Sequence, residues 1–271
     1  MNWLKQAVGK EWDITSAGGL TGDAYIASKD DRRLFLKRNS SPFLAVLSAE
    51  GIVPKLVFTK RMENGDVITA QEWLDGRELK AAEMRHHRVA DLLGKIHGSS
   101  ELLHMLMRLG KKPVTPDDRF ANITAQLEAN GLMDQYNEIQ DTMTYLNHLL
   151  PATRDQQQVV CHCDLNHNNI ILTTKGQLYL VDWDNAMIAD PAMDFGFILK
   201  WYVPMEDWDR WLDQYGAAKD NHLFERMYWY LIMDALNYLS WHHERNESDK
   251  VQNRLADLRN LNDYVENTIL R

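Results

Sequence analysis

His162-Cys163-Asp164-Leu165-Asn166-His167-Asn168-Asn169, followed after a short hairpin by Leu178-Tyr179-Leu180-Val181-Asp182-Trp183-Asp184, is the stretch on which the reading of this chain turns. Gln158-Val159-Val160-Cys161, Ile170-Ile171-Leu172 and Leu178-Tyr179-Leu180-Val181 are short apolar, β-branched runs that predict strands, with Lys175-Gly176 as the turn between the last two. The polar residues gather where these strands end. A carboxylate at 164, an amide at 169 and a second carboxylate at 182 can therefore converge at one end of a sheet. Asp and Asn are common in turns, so either motif alone is ordinary; the joint spacing points to chemistry. Mg²⁺ is a hard ion that takes oxygen ligands, and a carboxylate with an amide carbonyl beside nucleotide phosphates would bridge and neutralise their charge. On this reading Asp164 orients an attacking hydroxyl and accepts its proton, Asn169 holds a metal, and Asp182 is the principal metal ligand.

Outward from this stretch the pattern changes twice. Up to about residue 74 it is strand-like: Tyr25-Ile26-Ala27, Leu34-Phe35-Leu36-Lys37, Leu56-Val57-Phe58 and Val67-Ile68-Thr69-Ala70, punctuated by Asp30-Asp31 and Asn64-Gly65-Asp66. A small antiparallel sheet is the expected unit. After Leu74-Asp75-Gly76 the period becomes helical, with Val89, Leu92, Leu93 and Ile96, and later Phe224, Met227, Tyr228, Leu231 and Ala235, at three- and four-residue steps. The expected division is residues 1–74 and residues 75–271.

Composition narrows the function classes. The chain has 271 residues, 45% of them hydrophobic, enough for one large domain or two modest ones. Apolar runs are only a few residues long, which argues against membrane insertion or a signal peptide and for a cytoplasmic protein. The two cysteines, Cys161 and Cys163, are too close together to staple distant elements. A formal net charge of −9 disfavours binding to a nucleic-acid polymer but leaves room for a single nucleotide.

The 162–169 stretch also matches the His-x-Asp-Leu-x-x-x-Asn catalytic loop of kinases, followed by a strand ending in Asp. The chain resembles the aminoglycoside phosphotransferase and choline kinase superfamily. The resemblance implies an α+β, protein-kinase-like two-lobe fold, with a small antiparallel-sheet N-terminal nucleotide-binding lobe and a larger, mainly helical catalytic lobe. It implies ATP and Mg²⁺ as cofactors and a hydroxyl-bearing small molecule as acceptor. Lys37 then fits the strand lysine that touches phosphates, and Glu50, in the helix-like stretch Pro42 to Glu50, is its candidate partner. Gly19 and Gly22 fall in the phosphate-covering turn, and Gln71-Glu72-Trp73-Leu74 at the hinge that presents backbone groups to adenine. His162 and Asp184 join Asp164 on the substrate side, although the superfamily more often uses this histidine to support the loop. Asp194-Phe195-Gly196 imitates the protein-kinase metal motif but stands too far downstream. It belongs to Asp190-Pro191-Ala192-Met193-Asp194, whose second aspartate braces the catalytic loop in the superfamily.

Trp201, Trp208, Trp211, Trp229 and Trp241, near Glu206, Asp207, Asp209 and Asp234, read either as helical core or as a cage for a quaternary amine. A zinc site from Cys161, His162, Cys163 and His167 is disfavoured by their crowding. Ala70 to Gly76, Leu178 to Asp184 and Met227-Tyr228-Trp229-Tyr230 look like the CcrZ/YtmP group of Gram-positive cell-cycle proteins. That resemblance implies a nucleoside or other (deoxy)ribosyl acceptor, a role in coordinating cell division with DNA replication, and a cell-division protein partner. The alternatives are a choline or ethanolamine kinase and a nucleotide-binding regulatory adaptor.

Overall fold

The computed structural model describes residues 4–18, 23–217, 220 and 222–270. In chain order the elements begin with α1 (Lys5–Val8), β1 (Asp13–Gly18), β2 (Ala24–Lys29), β3 (Arg32–Arg38), α2 (Phe43–Ala49), β4 (Leu56–Arg61), β5 (Val67–Glu72) and β6 (Gly76–Glu78). Next come α3 (His87–His97), α4 (Ser100–Arg108), α5 (Pro116–Ala129), α6 (Leu132–Gln135), α7 (Asn137–Leu149), β7 (Val159–Cys161), β8 (Ile170–Thr173), β9 (Leu178–Leu180) and β10 (Met187–Ala189). The chain ends with α8 (Ala192–Tyr202), α9 (Trp208–Tyr215), α10 (Leu223–Glu244) and α11 (Ser248–Tyr264). No helix among the described residues is long and apolar enough to cross a membrane.

The contacts divide the chain into two compact units. The first comprises residues 4–83, 100–109 and 166–184 of the described chain. Its five-stranded antiparallel sheet has the order β1-β2-β3-β5-β4. Alternation along β3 buries Leu34 and Leu36 with Ala27, Ile68 and Ala70, and Leu4 and Trp12 close the same core. β1 was not legible as a strand, because Asp13-Ile14-Thr15-Ser16-Ala17-Gly18 is almost entirely exposed and carries little alternation. A second sheet, β6-β8-β9, pairs Gly76 with Thr173 and Ile170 with Leu180. Gly76 is obligatory there: a Cβ would stand 2.6 Å from the Leu172 carbonyl oxygen.

The second unit comprises residues 84–99, 110–165 and 185–270. Its centre is α10, apolar around most of its circumference, which packs against α5, α7, α8 and α11. Trp229 is fully buried in it and donates its indole N–H to the Leu146 carbonyl at 3.1 Å. The β7–β10 ribbon pairs Cys161 with Met187 and delivers the chain to residues 162–164.

Those residues are fixed by a buried carboxylate. Asp194, in the first turn of α8 and 1% exposed, accepts the His162 N–H at 2.7 Å and the Cys163 N–H at 2.9 Å. Cys163 has φ +64°, so the backbone reverses hand to aim both amides at one group. His97 Nε2 lies 3.2 Å from Asp194, and its Nδ1 lies 2.7 Å from the Tyr215 hydroxyl. The carboxylate can only accept, so Nε2 carries the proton and the tyrosine donates to Nδ1; burial holds the Tyr215 pKa above its usual value and keeps that donor in place. Behind this, Asp190 caps α8 by accepting the Ala192 N–H at 2.9 Å, and the buried Arg226 stands 3.0 Å from Asp190 and pairs with Asp220.

Asp194→Asn presents an amide where two backbone N–H groups need acceptors, so it is expected to cost about 3 kcal/mol and lower the melting temperature. An unchanged melting temperature with selective loss of metal binding would assign Asp194 to the metal instead. Cys163→Val places a β-branched side chain at positive φ and is expected to cost about 2 kcal/mol; a urea midpoint equal to wild type would remove the constraint claimed for that position.

Candidate active site

In the first unit, Lys37 sits on β3 between Ala24 of β2 and Thr69 of β5, with the buried Leu36 beside it. Its Nζ donates to Asp184 Oδ2 at 3.0 Å and lies 3.8 Å from Asp182 Oδ1. Glu50, the partner expected from sequence, does not pair with it. It caps the C-terminal end of the seven-residue α2, and the two carboxylates that follow β9 take the ammonium instead. Asp184 therefore faces a cation of its own unit and lines no part of the acceptor-sized pocket described below.

The β8–β9 hairpin explains the long spacing between Asn169 and Asp182. Ile170 pairs with Leu180, so Val181 falls beside Asn169 and donates its N–H to the Asn169 carbonyl at 2.8 Å. Asn169 closes a single 3₁₀ turn, His167–Asn169, started by the Asn166 side chain accepting the Asn168 N–H at 3.0 Å. Beyond β9, Trp183 anchors the turn: its indole donates to the Leu180 carbonyl at 2.8 Å and its ring meets Phe43 of α2 edge-on at 5.7 Å. Asp182 has φ +64°, a strained conformation of the kind concentrated at functional sites. Its side chain and that of Asp184 are 54% and 66% exposed and both lie against Lys37, offering the hard carboxylate oxygens that Mg²⁺ takes.

Gln71 and Glu72 end β5, and Trp73 and Leu74 follow it. Gln71 is buried, its side-chain amide donating to the Pro54 carbonyl at 2.8 Å. The amides of Glu72 and Trp73 are taken by the Lys55 and Arg33 carbonyls. The Leu74 amide has no backbone acceptor among the described residues. Gly19 and Gly22 lie outside the described residues.

In the second unit, Asp164 opens onto a cavity of about 470 Å³ walled by Trp201, Tyr230 and Tyr238 and carrying Asp234, Arg254 and Asp257. His162, expected on the substrate side, is fully buried and is not in that wall; its backbone N–H is bound by Asp194. Of the five late tryptophans, Trp208, Trp211 and Trp229 are core, Trp241 lies exposed with Arg245 4.3 Å from its ring centre, and Trp201 alone reaches the cavity. Glu206, Asp207 and Asp209 are not in the wall, whereas Asp234 is. Burial pushes the Asp234 carboxyl up to about 6, against the downward pull of Arg254 and Arg119 and with a further upward push from Asp164. Sequence reasoning missed Tyr230, Tyr238 and Arg254; the signal available was Asp234 itself, a lone acid in the apolar run from Met227 to Leu236. Burial raises both the Cys161 and the Cys163 thiol pKa well above normal.

Known proteins share this architecture. Choline kinase LicA from Streptococcus pneumoniae superposes with a TM-score of 0.68 at 18% identity, over 96% of this chain and 97% of that one. Wild-type aminoglycoside 2'-phosphotransferase-IIIa, in its GDP complex, gives 0.67 at 13% identity over 97% of each chain. A choline/ethanolamine kinase family protein from Mesorhizobium loti gives 0.63 at 16% identity, over 92% of this chain and 87% of that one. These likenesses establish a protein-kinase-like fold, with an antiparallel-sheet N-terminal part and a helical C-terminal part. Among curated sequences, the uncharacterized protein MG356 homolog of Mycoplasma pneumoniae is 24% identical over 101 residues, which cover 37% of this chain and only 34% of that protein. Residues 15–230 match the phosphotransferase enzyme family, and with most of its length so matched the chain belongs to that family.

Proposed function

We propose that the protein is an ATP- and Mg²⁺-dependent kinase that transfers the γ-phosphate to a hydroxyl of a small molecule, a nucleoside or related (deoxy)ribosyl compound. The observation that carries this reading is the placement of Lys37 against Asp182 and Asp184, with Asn169 tied to the adjoining backbone. Residues 1–74 serve the nucleotide, with Lys37 steadying phosphates, the Gly19 and Gly22 turn covering them, and the Leu74 amide offered to the base. Glu50 supports Lys37 only if nucleotide binding draws the lysine off its present carboxylate partners. Residues 75–271 carry catalysis and the acceptor.

The acceptor oxygen attacks the γ-phosphorus as the bond to the bridging oxygen breaks; ADP leaves, and the acceptor proton goes to Asp164. Asp182 and Asn169 would hold a Mg²⁺ ion, which when bound would supply charge neutralisation for the phosphates. LicA in complex with AMP and aminoglycoside 2'-phosphotransferase-IIIa in complex with GDP share this fold, which supports a nucleotide as a ligand here.

The nucleoside acceptor and the link to division and replication rest on similarity to the CcrZ/YtmP group, and a cell-division protein is the partner it suggests. The aromatic walls Trp201, Tyr230 and Tyr238 around a carboxylate favour a second reading, choline or ethanolamine as acceptor. A nucleotide-binding adaptor is the reading left if catalytically dead variants restore normal division timing in a strain lacking the protein.

An ADP-release screen over nucleosides, pentoses, choline and aminoglycosides separates these readings. Asp164→Ala is expected to lower kcat about a thousand-fold without lowering the melting temperature. No ADP release above that variant with any acceptor would refute the kinase reading. Chelation of divalent cations is expected to abolish turnover, and Mg²⁺ to restore it; turnover that survives EDTA would remove Asn169 and Asp182 from their metal role.

A further inference from the structure

His97 and Tyr215 take no part in the transfer described above, yet they stand in contact with the group that holds the loop before Asp164. His97 Nε2 lies 3.2 Å from Asp194 Oδ2, the oxygen that also accepts the His162 N–H. The His97 side chain is 3% exposed, so solvent does not replace a missing partner there. Because Nε2 donates to the carboxylate, Nδ1 is left as a buried lone pair in need of a donor. The Tyr215 hydroxyl, 2.7 Å away, supplies it, and burial raises the Tyr215 pKa and so keeps that proton on the oxygen. A glycine lets the tyrosine come this close. Gly94 stands three residues before His97 on α3, and a Cβ there would meet the Tyr215 carbonyl oxygen at 2.8 Å. Tyr215 is the last residue of α9, capped by the left-handed Gly216, and its ring stacks on Trp211 at 5.9 Å and meets Phe195 at 5.2 Å.

We propose that Tyr215 is a positioning residue for phosphoryl transfer: by donating to His97 it fixes the imidazole that braces Asp194, and through Asp194 the His162 and Cys163 amides that lead into Asp164. This deepens the kinase reading above and rests on it. Every link from the tyrosine hydroxyl to the loop backbone is a hydrogen bond of 3.2 Å or less. Tyr215 is absent from the cavity wall that contains Asp164, so its influence passes through His97 and not through the acceptor. Without the hydroxyl, the buried Nδ1 has no donor and the ring is free to turn Nε2 away from the carboxylate. Asp194 then holds the two loop amides without a brace of its own, and the backbone before Asp164 gains freedom.

Tyr215→Phe keeps the ring and its stacking and removes only the hydroxyl. Amide hydrogen exchange reads the loop directly and needs no acceptor. The His162 and Cys163 amides are expected to exchange about ten-fold faster in the variant, while amides at the centre of α10 keep their wild-type rates. With ATP and Mg²⁺, kcat is expected to fall about ten-fold with acceptor KM and nucleotide affinity within about two-fold, the pattern of a residue that acts on the reacting group and not on binding. Gly94→Ala, which displaces Tyr215 and leaves its hydroxyl in place, is expected to reproduce both effects. In a His97→Gln background, Tyr215→Phe is expected to cost nothing further in kcat, since the link it feeds is already gone. Loop amides that exchange at wild-type rates in Tyr215→Phe would overturn the proposal, and so would faster exchange with kcat unchanged. Faster exchange throughout the second unit would make the tyrosine a general support and overturn it as well. Each of these failures leaves the kinase reading standing. If wild type turns over no acceptor, both fail.

Discussion

Two backbone amides converging on one buried carboxylate hold the rest of this structure in place. Asp194 takes the N–H groups of His162 and Cys163, and for both to point at it the chain must adopt φ +64° at Cys163. A non-glycine residue there carries strain that only the surrounding bonds can offset. They come in layers: His97 and Tyr215 brace Asp194 from α3 and α9, while Asp190 caps the helix that carries it and Arg226 sits against Asp190. Asp164 follows directly on this fixed backbone.

The first unit handles charge differently. Lys37, Asp182 and Asp184 are partly exposed, so their ion pairs are screened and individually weak. What is rigid there is the frame: the β8–β9 hairpin, the Val181–Asn169 hydrogen bond and the Trp183–Phe43 contact. A rigid frame with loosely held charges suits a site whose ligands are phosphates and a metal, since the lysine and carboxylates can change partners while the backbone stays still.

The parts legible in the sequence are those set by local spacing. The strands ending at Cys161, beginning at Ile170 and ending at Leu180 lie where alternation and the Lys175-Gly176 turn put them, with Gly176 at φ +82°. Lys37 lies on its strand, and Asp194 is buried where the distance from Asp164 disqualified it as a metal ligand. The parts that were not legible depend on tertiary choice. Which carboxylate pairs with Lys37 is decided by the turn after β9, far along the chain from Glu50. β10 is three residues long and pairs only because β7 offers it an edge. Tyr230 and Tyr238 carry no signal of their own because α10 is apolar on nearly every face, and only packing shows that one strip faces a cavity.

Asp194 and Asp234 show how differently two carboxylates of one unit are placed. Both lie in apolar helices of the same unit, but Asp194 closes Asp190-Pro191-Ala192-Met193-Asp194 while Asp234 stands alone between Glu225 and Glu244. Asp194 has both oxygens occupied by N–H donors, so its charge is compensated and removing it would leave the loop amides unsatisfied. Asp234 lines a cavity, and burial raises its pKa against the downward pull of Arg254 and Arg119. The first residue is explained entirely by the folded chain. The second lines a cavity instead, so the same residue type takes a different place in each helix.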